Sequence, residues 1–244
     1  MATSIPFQFR RHHYLAKFRP GFTVMWLLIF CLMCYLGVWQ LHRYHFKKTL
    51  LADFQQRASV APQPLSAAHD VQFQHVSAKG KYLNELSILV DRVHDNRSGF
   101  DVVTPFLLEE QNKLLLVNRG WVAASPHFEK EQTTQEITGV IKLINEYQFI
   151  LGKNVLDQSP LHLQKIDLRD ISQQLHEEVF PFILLLDASS AQGYQRDWVI
   201  TAGMTPERHM GYAVQWFVMA IVLVVAWLCF SIERVELNNN ASAK

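Results

Sequence analysis

Two long stretches without Asp, Glu, Lys or Arg constrain the fold of this chain more than any other feature. Residues 20–42 form the first stretch, of 23 residues, and residues 209–232 form the second, of 24 residues. A helix rises about 1.5 Å per residue, so each stretch is long enough to cross a hydrocarbon core about 30 Å thick. The sequence therefore predicts two transmembrane helices in a lipid bilayer.

The flanking segments predict the orientation of these helices. The leader, residues 1–19, carries four basic residues and no acid, which favours the cytoplasmic side. No small-residue cleavage site follows the first stretch, so we expect it to stay as an anchor. Residues 43–208 then form the extracytoplasmic domain, and residues 233–244 form a cytoplasmic tail. We expect a bacterial inner membrane with the domain in the periplasm, and a mitochondrial inner membrane is the alternative.

Cysteine and charge content exclude several classes of protein. The three cysteines, Cys31, Cys34 and Cys229, all lie in the apolar stretches, so the outer domain must be stable without disulfides. Cys31 and Cys34 form a CxxC pair, but no His follows it as covalent haem attachment requires. The formal net charge is +1, and nothing in the outer domain suggests a nucleic-acid surface.

The outer domain is predicted to be rich in β-structure. The first helix continues beyond the apolar stretch to a break at residues 61–64, APQP. Runs typical of strands follow and are separated by short turn signals. These runs are residues 71–82, 87–93, 100–108, 113–124, 136–144, 180–187 and 196–203.

One helix interrupts these strands, with Asp167 as its N-cap and an apolar face at Leu168, Ile171 and Leu175. Short linkers favour antiparallel neighbours. We predict an α+β membrane protein in which two transmembrane helices flank an antiparallel β-rich domain, either a sheet or an open barrel. No catalytic sequence motif is present, so we expect no enzyme.

The start of the second apolar stretch carries the most unusual side chains. His209, Tyr212, Ala213 and Trp216 have the spacing of one helical face. Tyr212 and Trp216 are either cofactor contacts or aromatic anchors at the membrane surface. His209 either reaches headgroup water or ligates haem iron through its imidazole.

The exit of the first apolar stretch has a matching group of polar side chains. Helical spacing connects Leu36, Gln40, Arg43 and Lys47. Trp39 lies beside them, and Arg43 is either a snorkelling anchor or a partner for haem propionates. His42 and His45 compete with His209 as ligands, and water-exposed positions on a helical arm are the alternative for both.

The run LLLVNRGWV at residues 114–122 reads as a buried strand with Asn118, Arg119 and Gly120 at its end. Gly120 suits a β-bulge or a positive φ. Arg119 is either an anchor for an anion or a structural hydrogen-bond donor.

Five of these stretches, in this order, resemble the surfeit locus protein 1 family of cytochrome c oxidase assembly factors. They are LGVWQLHR at 36–43, GKY at 80–82, GFDVVTPF at 99–106, LLLVNRGWV at 114–122 and HMGYAVQWF at 209–217. Each motif alone is weak, and their order, spacing and two-span setting make the resemblance specific. It departs at Glu207–Arg208, where Asn is common before the histidine, and in residues 150–166.

The resemblance implies an assembly factor that handles haem a near its insertion into the oxidase's catalytic subunit. The histidine proposed as a haem ligand in the family corresponds to His209, and the motif tryptophan and glycine correspond to Trp39 and Gly120. Tyr212, Trp216 and Arg43 complete the expected haem a contacts. The expected partners are the catalytic subunit, with haem a synthase as a second candidate, and the bilayer.

Two other functions remain open from sequence. The protein could be a membrane scaffold for oxidase subunits without a cofactor, or a two-span extracytoplasmic sensor. About a dozen residues follow the second stretch, which leaves little room for a signalling output domain.

Overall fold

The computed structural model describes residues 3–9, 12–67, 71–109, 111, 113–128, 133–144, 160–198, 200, 201 and 203–235. The chain divides into two compact units, one made of Met1–Leu50 with Thr201–Lys244 and the other of Leu51–Ile200. The described residues contain three α-helices: α1 Pro20–Ala58, α2 Leu168–Leu175 and α3 Pro206–Ser231.

The first unit is built around α3 and the apolar part of α1. Both helices are long and apolar enough to cross a membrane. Helix α1 begins at Pro20, where the missing backbone N–H costs no hydrogen bond, and continues without interruption to Ala58. The predicted extension of the first helix to a break near residue 61 is therefore confirmed. The membrane boundaries at residues 42 and 208 remain predictions.

The two helices pack along a regular seam. Less exposed residues recur at alternating steps of three and four, which keeps one stripe of each helix facing the other. On α1 these are Thr23, Trp26, Phe30, Met33, Gly37, Gln40, Tyr44 and Lys47, and on α3 they are Pro206, His209, Ala213, Trp216, Ala220, Leu223 and Trp227. Because Gln40 contacts His209 and Gly37 lies against Phe217, the helices run antiparallel.

A small sheet joins the two ends of this unit. Strands β1, Thr3–Phe9, and β2, His12–Phe18, pair antiparallel, and residues 232–235 at the end of α3 pair with β2. The sequence predicted no strand here, because the basic charge of the leader indicates only a side of the membrane. The pairing brings the leader next to the chain that leaves α3.

The second unit is a β-barrel with additional strands. Its strands are β3 Gln63–Pro64, β4 His75–Tyr82, β5 Ile88–His94, β6 Arg97–Leu108, β7 Leu114–Val122, β8 Gln135–Leu143, β9 Leu161–Leu163 and β10 Val179–Leu186. The strand Ile232–Val235 of the first unit is β11. The strand order is β3-β4-β8-β10-β7-β6-β5-β9. A further pairing between β4 and β6 closes the five strands β4, β8, β10, β7 and β6 into a barrel.

The predicted antiparallel arrangement is correct for the hairpins and wrong for three pairs. Strands β5, β6 and β7 follow each other as antiparallel neighbours. Strand β10 lies between β7 and β8 and is parallel to β7, and β3–β4 and β5–β9 are also parallel. The chain between the parallel strands β7 and β10 includes β8, β9 and α2, which gives the length that a parallel connection needs.

The β5–β6 hairpin follows directly from its sequence. Asp95 and Asn96 both have positive φ, 47° and 60°, at the centre of a two-residue turn. This is the geometry of a type I′ turn, whose twist matches that of the flanking strands and which Asn and Asp tolerate. The segment DNRSG at residues 95–99 predicts a turn, which the structure confirms at Asp95 and Asn96, whereas residues 97–99 belong to β6.

The strand predicted at residues 196–203 is absent from the described part of that segment. The nearest β-bridge lies just before this segment, between Gln195 and Trp121. The apolar side chains of Trp198 and Ile200 pack onto the outer face of the sheet. The alternation of apolar and polar residues in this segment therefore reflects packing onto the sheet, and the segment is not a further strand of it.

Two apolar clusters stabilise the second unit. One fills the barrel, with Tyr82, Phe106 and Phe182 among its largest fully buried side chains. The other lies between the outer face of the sheet and α2, whose residue Ile171 is fully buried. Helix α2 begins where Asp167 accepts hydrogen bonds from two backbone N–H groups, so the predicted N-cap is confirmed.

Within the second unit, the end of α1 and the chain that follows it each make one contact near β4. The ring of Phe54 meets the ring of Phe73 edge to face at 5.3 Å between centroids. Further on, the ring nitrogens of His75 lie 2.7 Å from the carbonyl oxygen of Val60 and 2.8 Å from Oδ2 of Asp187. The histidine thus links the segment after α1 to the end of β10.

Candidate functional site

The site predicted from sequence begins in the first turn of α3. Thr205 caps this helix by accepting a hydrogen bond from the backbone N–H of Arg208, and Pro206 occupies the first helical position. Both residue types favour a helix start at this point. His209 is consequently placed on the first turn, on the stripe that faces α1.

His209 is held by a buried hydrogen bond to the first helix. Its Nδ1 lies 2.6 Å from Oε1 of Gln40. His209 is 7% exposed and Gln40 is 9% exposed, so the contact is shielded from its surroundings on both sides. A hydrogen bond between two shielded groups is costly to lose, because neither group has a partner in lipid to replace the other.

Two of the predicted residues on α1 lie next to this pair. The indole ring of Trp39 meets the imidazole of His209 edge to face, with 6.5 Å between centroids. The guanidinium carbon of Arg43 lies 5.8 Å from the centroid of the Trp39 ring. The structure therefore brings His209, Trp39 and Arg43 together in one row.

Tyr212 and Trp216 extend this row along α3. They follow His209 by three and seven residues, which leaves all three on one side of the helix and places Trp216 about 10 Å further along its axis. Tyr212 is 44% exposed, and Trp216 is half-buried. Among the described residues, neither ring packs against the imidazole of His209 as Trp39 does, so Tyr212 and Trp216 share only its side of α3.

The other polar candidates face away from the pair. His42 and His45 on α1 are exposed, and so is Gln215, a further polar side chain in the apolar stretch of α3. The ring of His45 meets Tyr44 edge to face at 5.0 Å between centroids. The two histidines thus have the exposed positions that one interpretation of the sequence predicted for them.

The sequence placed Gln40 in the polar group at the exit of the first stretch, and the structure shows it to be the direct partner of His209. The available signal was its position, because Gln40 is the single amide side chain in the apolar stretch of residues 20–42 and polar groups there usually face a partner. The neighbouring Trp39 was predicted as a site residue because it is a tryptophan. Only the pairing of the helices shows that Trp39 flanks the histidine while Gln40 binds it.

The donor chemistry at this site fits a haem held by one axial histidine. With Nδ1 engaged by Gln40, Nε2 is the nitrogen left to bind a metal. Nε2 has no hydrogen-bond partner among the described residues. It is also not one of the fully buried polar atoms, so it can be reached from outside the helix pair. The cation of Arg43 is near enough to the row to meet a carboxylate. No group of three metal-ligating side chains exists among the described residues, so the fit is to a single protein ligand.

Arg119, the other candidate for binding an anion, has a structural role in the barrel. Its Nε donates to the carbonyl oxygen of Gln192 at 2.8 Å, and its Nη1 donates to Oδ1 of Asn84 at 2.9 Å. The guanidinium also lies over the rings of Tyr82 and Tyr194, at 4.5 and 5.5 Å from their centroids. Buried to 8% exposure, it ties the 192–194 segment to the mouth of the barrel.

Gly120 has both features that the sequence predicted for it. Its φ is +113°, and the pairing of β6 with β7 shifts register beside it. Arg119 and Gly120 together face a single residue, Val102, which is a β-bulge. The predicted position at the end of the strand is wrong, because β7 continues to Val122.

Two helices of membrane-spanning length, with a histidine held between them and a closed β-barrel in the chain segment that separates them in sequence, define a class of two-helix barrel proteins. Within that class the sequence identifies the family. The sequence model of the SURF1 family matches residues 27–221, and the chain belongs to this family.

Individual relatives agree with this assignment. The chain is 25% identical to a SURF1-like protein of Rickettsia felis over 217 residues, which cover 84% of this chain and 94% of the relative. It is 26% identical to Surfeit locus protein 1 of Gallus gallus, over 89% of this chain and 76% of the relative. It is also 28% identical, over 36% of this chain and 25% of the relative, to a Saccharomyces cerevisiae protein named Cytochrome oxidase assembly protein SHY1.

Proposed function

We propose that this protein is a non-enzymatic assembly factor for cytochrome c oxidase that handles haem a during its insertion into the catalytic subunit. Membership of the SURF1 family and the name of the yeast relative support the oxidase as the target. Haem a synthase is a second proposed partner, since it would deliver the product that this protein receives.

The observation that carries the haem proposal is the hydrogen bond between His209 and Gln40. Histidines that bind metals almost always donate their second ring N–H to a carbonyl, a carboxylate or water, and His209 already has such a partner at 2.6 Å. A membrane anchor at the headgroup level has no need of this arrangement, because water would satisfy its imidazole.

The surrounding residues give each part of a haem a counterpart. Bound haem would supply two propionate carboxylates and an iron atom that accepts an imidazole nitrogen. His209 would hold the iron through Nε2, and Arg43 would neutralise a propionate. Trp39, Tyr212 and Trp216 would cover apolar edges of the porphyrin and exclude water from the imidazole.

We place this site at the extracytoplasmic surface of the inner membrane. The basic leader favours the cytoplasm for the N-terminus. The pairing of β2 with residues 232–235 supports a common side for both ends of the helix pair. A compartment-sensitive reporter fused within residues 123–128 should then give the opposite signal to one fused at the C-terminus. Equal signals would contradict this topology.

The haem proposal is tested by purifying the protein in detergent from cells that make haem a. His209→Ala and His209→Gln should lose most of the Soret absorbance, while membrane levels of the protein stay constant, because both replacements allow a helix. His42→Ala and His45→Ala are the matched controls and should keep the pigment. Full pigment in both His209 variants would reject His209 as the ligand.

Burial of His209 favours one second candidate, a scaffold in which the histidine only locks the two helices together. This function predicts a colourless wild-type protein and oxidase maturation that depends on Gln40 and His209 equally. The pigment of the wild type separates the two candidates, and oxidase maturation in the same strains shows whether the site matters in either case.

A further inference from the structure

The buried contact between Gln40 and His209 determines which ring nitrogen of the histidine carries the proton. A neutral imidazole carries one N–H, on either Nδ1 or Nε2. The amide oxygen of Gln40 can only accept a hydrogen bond, and it lies 2.6 Å from Nδ1. The proton therefore belongs on Nδ1, and the lone pair of the ring belongs on Nε2.

This contact also fixes the rotation of the imidazole. Gln40 holds one edge of the ring, and Trp39 lies against it at 6.5 Å between centroids, with the two planes 82° apart. Both residues belong to the same turn of α1, which is continuous from Pro20 to Ala58. A ring held at two points on one rigid helix has one orientation, in which Nε2 points away from Gln40.

We propose that Gln40 is the positioning residue for His209: it sets the Nδ1–H tautomer and aims Nε2 outward as a donor for a metal centre. This inference rests on the proposed haem function for its purpose. The tautomer and the orientation are properties of the protein alone and can be measured without haem.

The chemistry of position 40 leads to distinct expectations for three substitutions. Gln40→Leu keeps the size of the side chain but removes the acceptor. Gln40→Glu keeps an oxygen that can accept from Nδ1, whether the carboxyl group is ionised or protonated. Gln215→Leu makes the same chemical change at an exposed position of α3, away from His209, and is the matched control.

The first measurement is the ¹⁵N NMR spectrum of His209 in the haem-free, full-length protein in detergent, assigned by its loss in His209→Gln. Wild type, Gln40→Glu and Gln215→Leu should show a protonated Nδ1 and an unprotonated Nε2. Gln40→Leu should show a mixture of both tautomers. Protonation of Nε2 in the wild type, or an unchanged spectrum in Gln40→Leu, would overturn the proposal.

The second measurement uses added haem and records affinity and reduction potential. Loss of such a partner typically weakens metal binding about 10–100-fold, so Gln40→Leu should lose affinity by that factor, and Gln40→Glu should recover it. The potential of Gln40→Leu should become more positive, because a histidine without this hydrogen bond donates less charge to ferric iron. A merely structural role would not move the potential of the haem that remains bound.

The two measurements separate the two hypotheses. An Nδ1–H tautomer that depends on Gln40, in a wild type that takes up no haem, would support the positioning role and reject the haem function. Haem uptake with equal affinity and potential in wild type and Gln40→Leu would reject the positioning role and support the function.

Discussion

The ring of Phe217 occupies the space that a side chain at Gly37 would need. A Cβ at Gly37 would lie 2.8 Å from Cε1 and Cζ of that ring, closer than carbon atoms pack. The contact lies one turn of α1 from Gln40. The absence of a side chain at residue 37 thus lets the helices approach closely enough for the Gln40–His209 hydrogen bond.

Gly37→Leu should therefore weaken the helix pair. Overpacking of a tight contact costs about 1–3 kcal/mol, which outweighs the better helix propensity of Leu. The measurement is resistance to thermal unfolding and proteolysis in detergent. Gly211→Leu is the matched control, since nothing lies within 4 Å of a Cβ there, and it should be neutral or stabilising. Equal behaviour of the two variants would contradict close packing at residue 37.

Gly120→Val should destabilise the barrel strongly. The residue has a φ of +113°, and a Cβ would lie 2.5 Å from the carbonyl oxygen of Gln195. Positive φ costs a branched side chain about 1–2 kcal/mol, and the displaced backbone adds about 1–3 kcal/mol. Gly203→Val has positive φ but open space, so it should cost less. Chemical unfolding followed by tryptophan fluorescence measures both, and normal stability of Gly120→Val would disprove the strain.

Arg119→Lys should destabilise the barrel although it keeps the charge. The ammonium group cannot make both bonds of the guanidinium fork, to Gln192 and Asn84, so at least one charge-assisted hydrogen bond is lost at a cost of about 1–3 kcal/mol. Arg97→Lys is the control, because Arg97 is exposed over the face of Trp121, and it should stay within about 0.5 kcal/mol of wild type. A harmless Arg119→Lys would show that charge alone is required.

Lys142→Met should stabilise the barrel at neutral pH. Burial lowers the pKa of Lys142 below its ordinary value of 10.5, and Arg92 lowers it further, while Asp101 partly opposes the shift. Below the folded-state pKa, the charged lysine penalises the folded protein in full. Between the folded-state pKa and 10.5 the unfolded chain binds more protons, so stability rises with pH.

The advantage of Lys142→Met over wild type should thus be greatest near pH 7 and shrink as the pH approaches 10.5. Denaturant unfolding at a series of pH values measures this difference. Lys81→Met, at an exposed position of β4, should show no such trend. A pH-independent difference for Lys142→Met would mean that the gain comes from packing and not from charge.

Much of the local structure could be predicted because it depends on neighbours in sequence. The apolar length of residues 20–42 specifies a helix wherever the chain is placed, and Asp167 caps α2 through atoms two and three residues away. The β5–β6 turn depends on Asp95 and Asn96 alone. In the candidate site, His209 was recognisable because a histidine at the start of an apolar stretch is costly unless it has a partner.

The sequence by itself thus determined the helices, most of the strands, the bulge glycine at residue 120 and the place of His209 at the start of α3. Only the tertiary structure decided that β10 lies parallel to β7, and that Gln40, and not its neighbour Trp39, binds His209. The physical reason is range. Helix caps and turns close over a few residues, whereas residues 40 and 209 are 169 positions apart in sequence, and their contact exists only because a complete seam aligns the two helices. Which side chain meets which across that seam is a property of the packed pair and not of either helix.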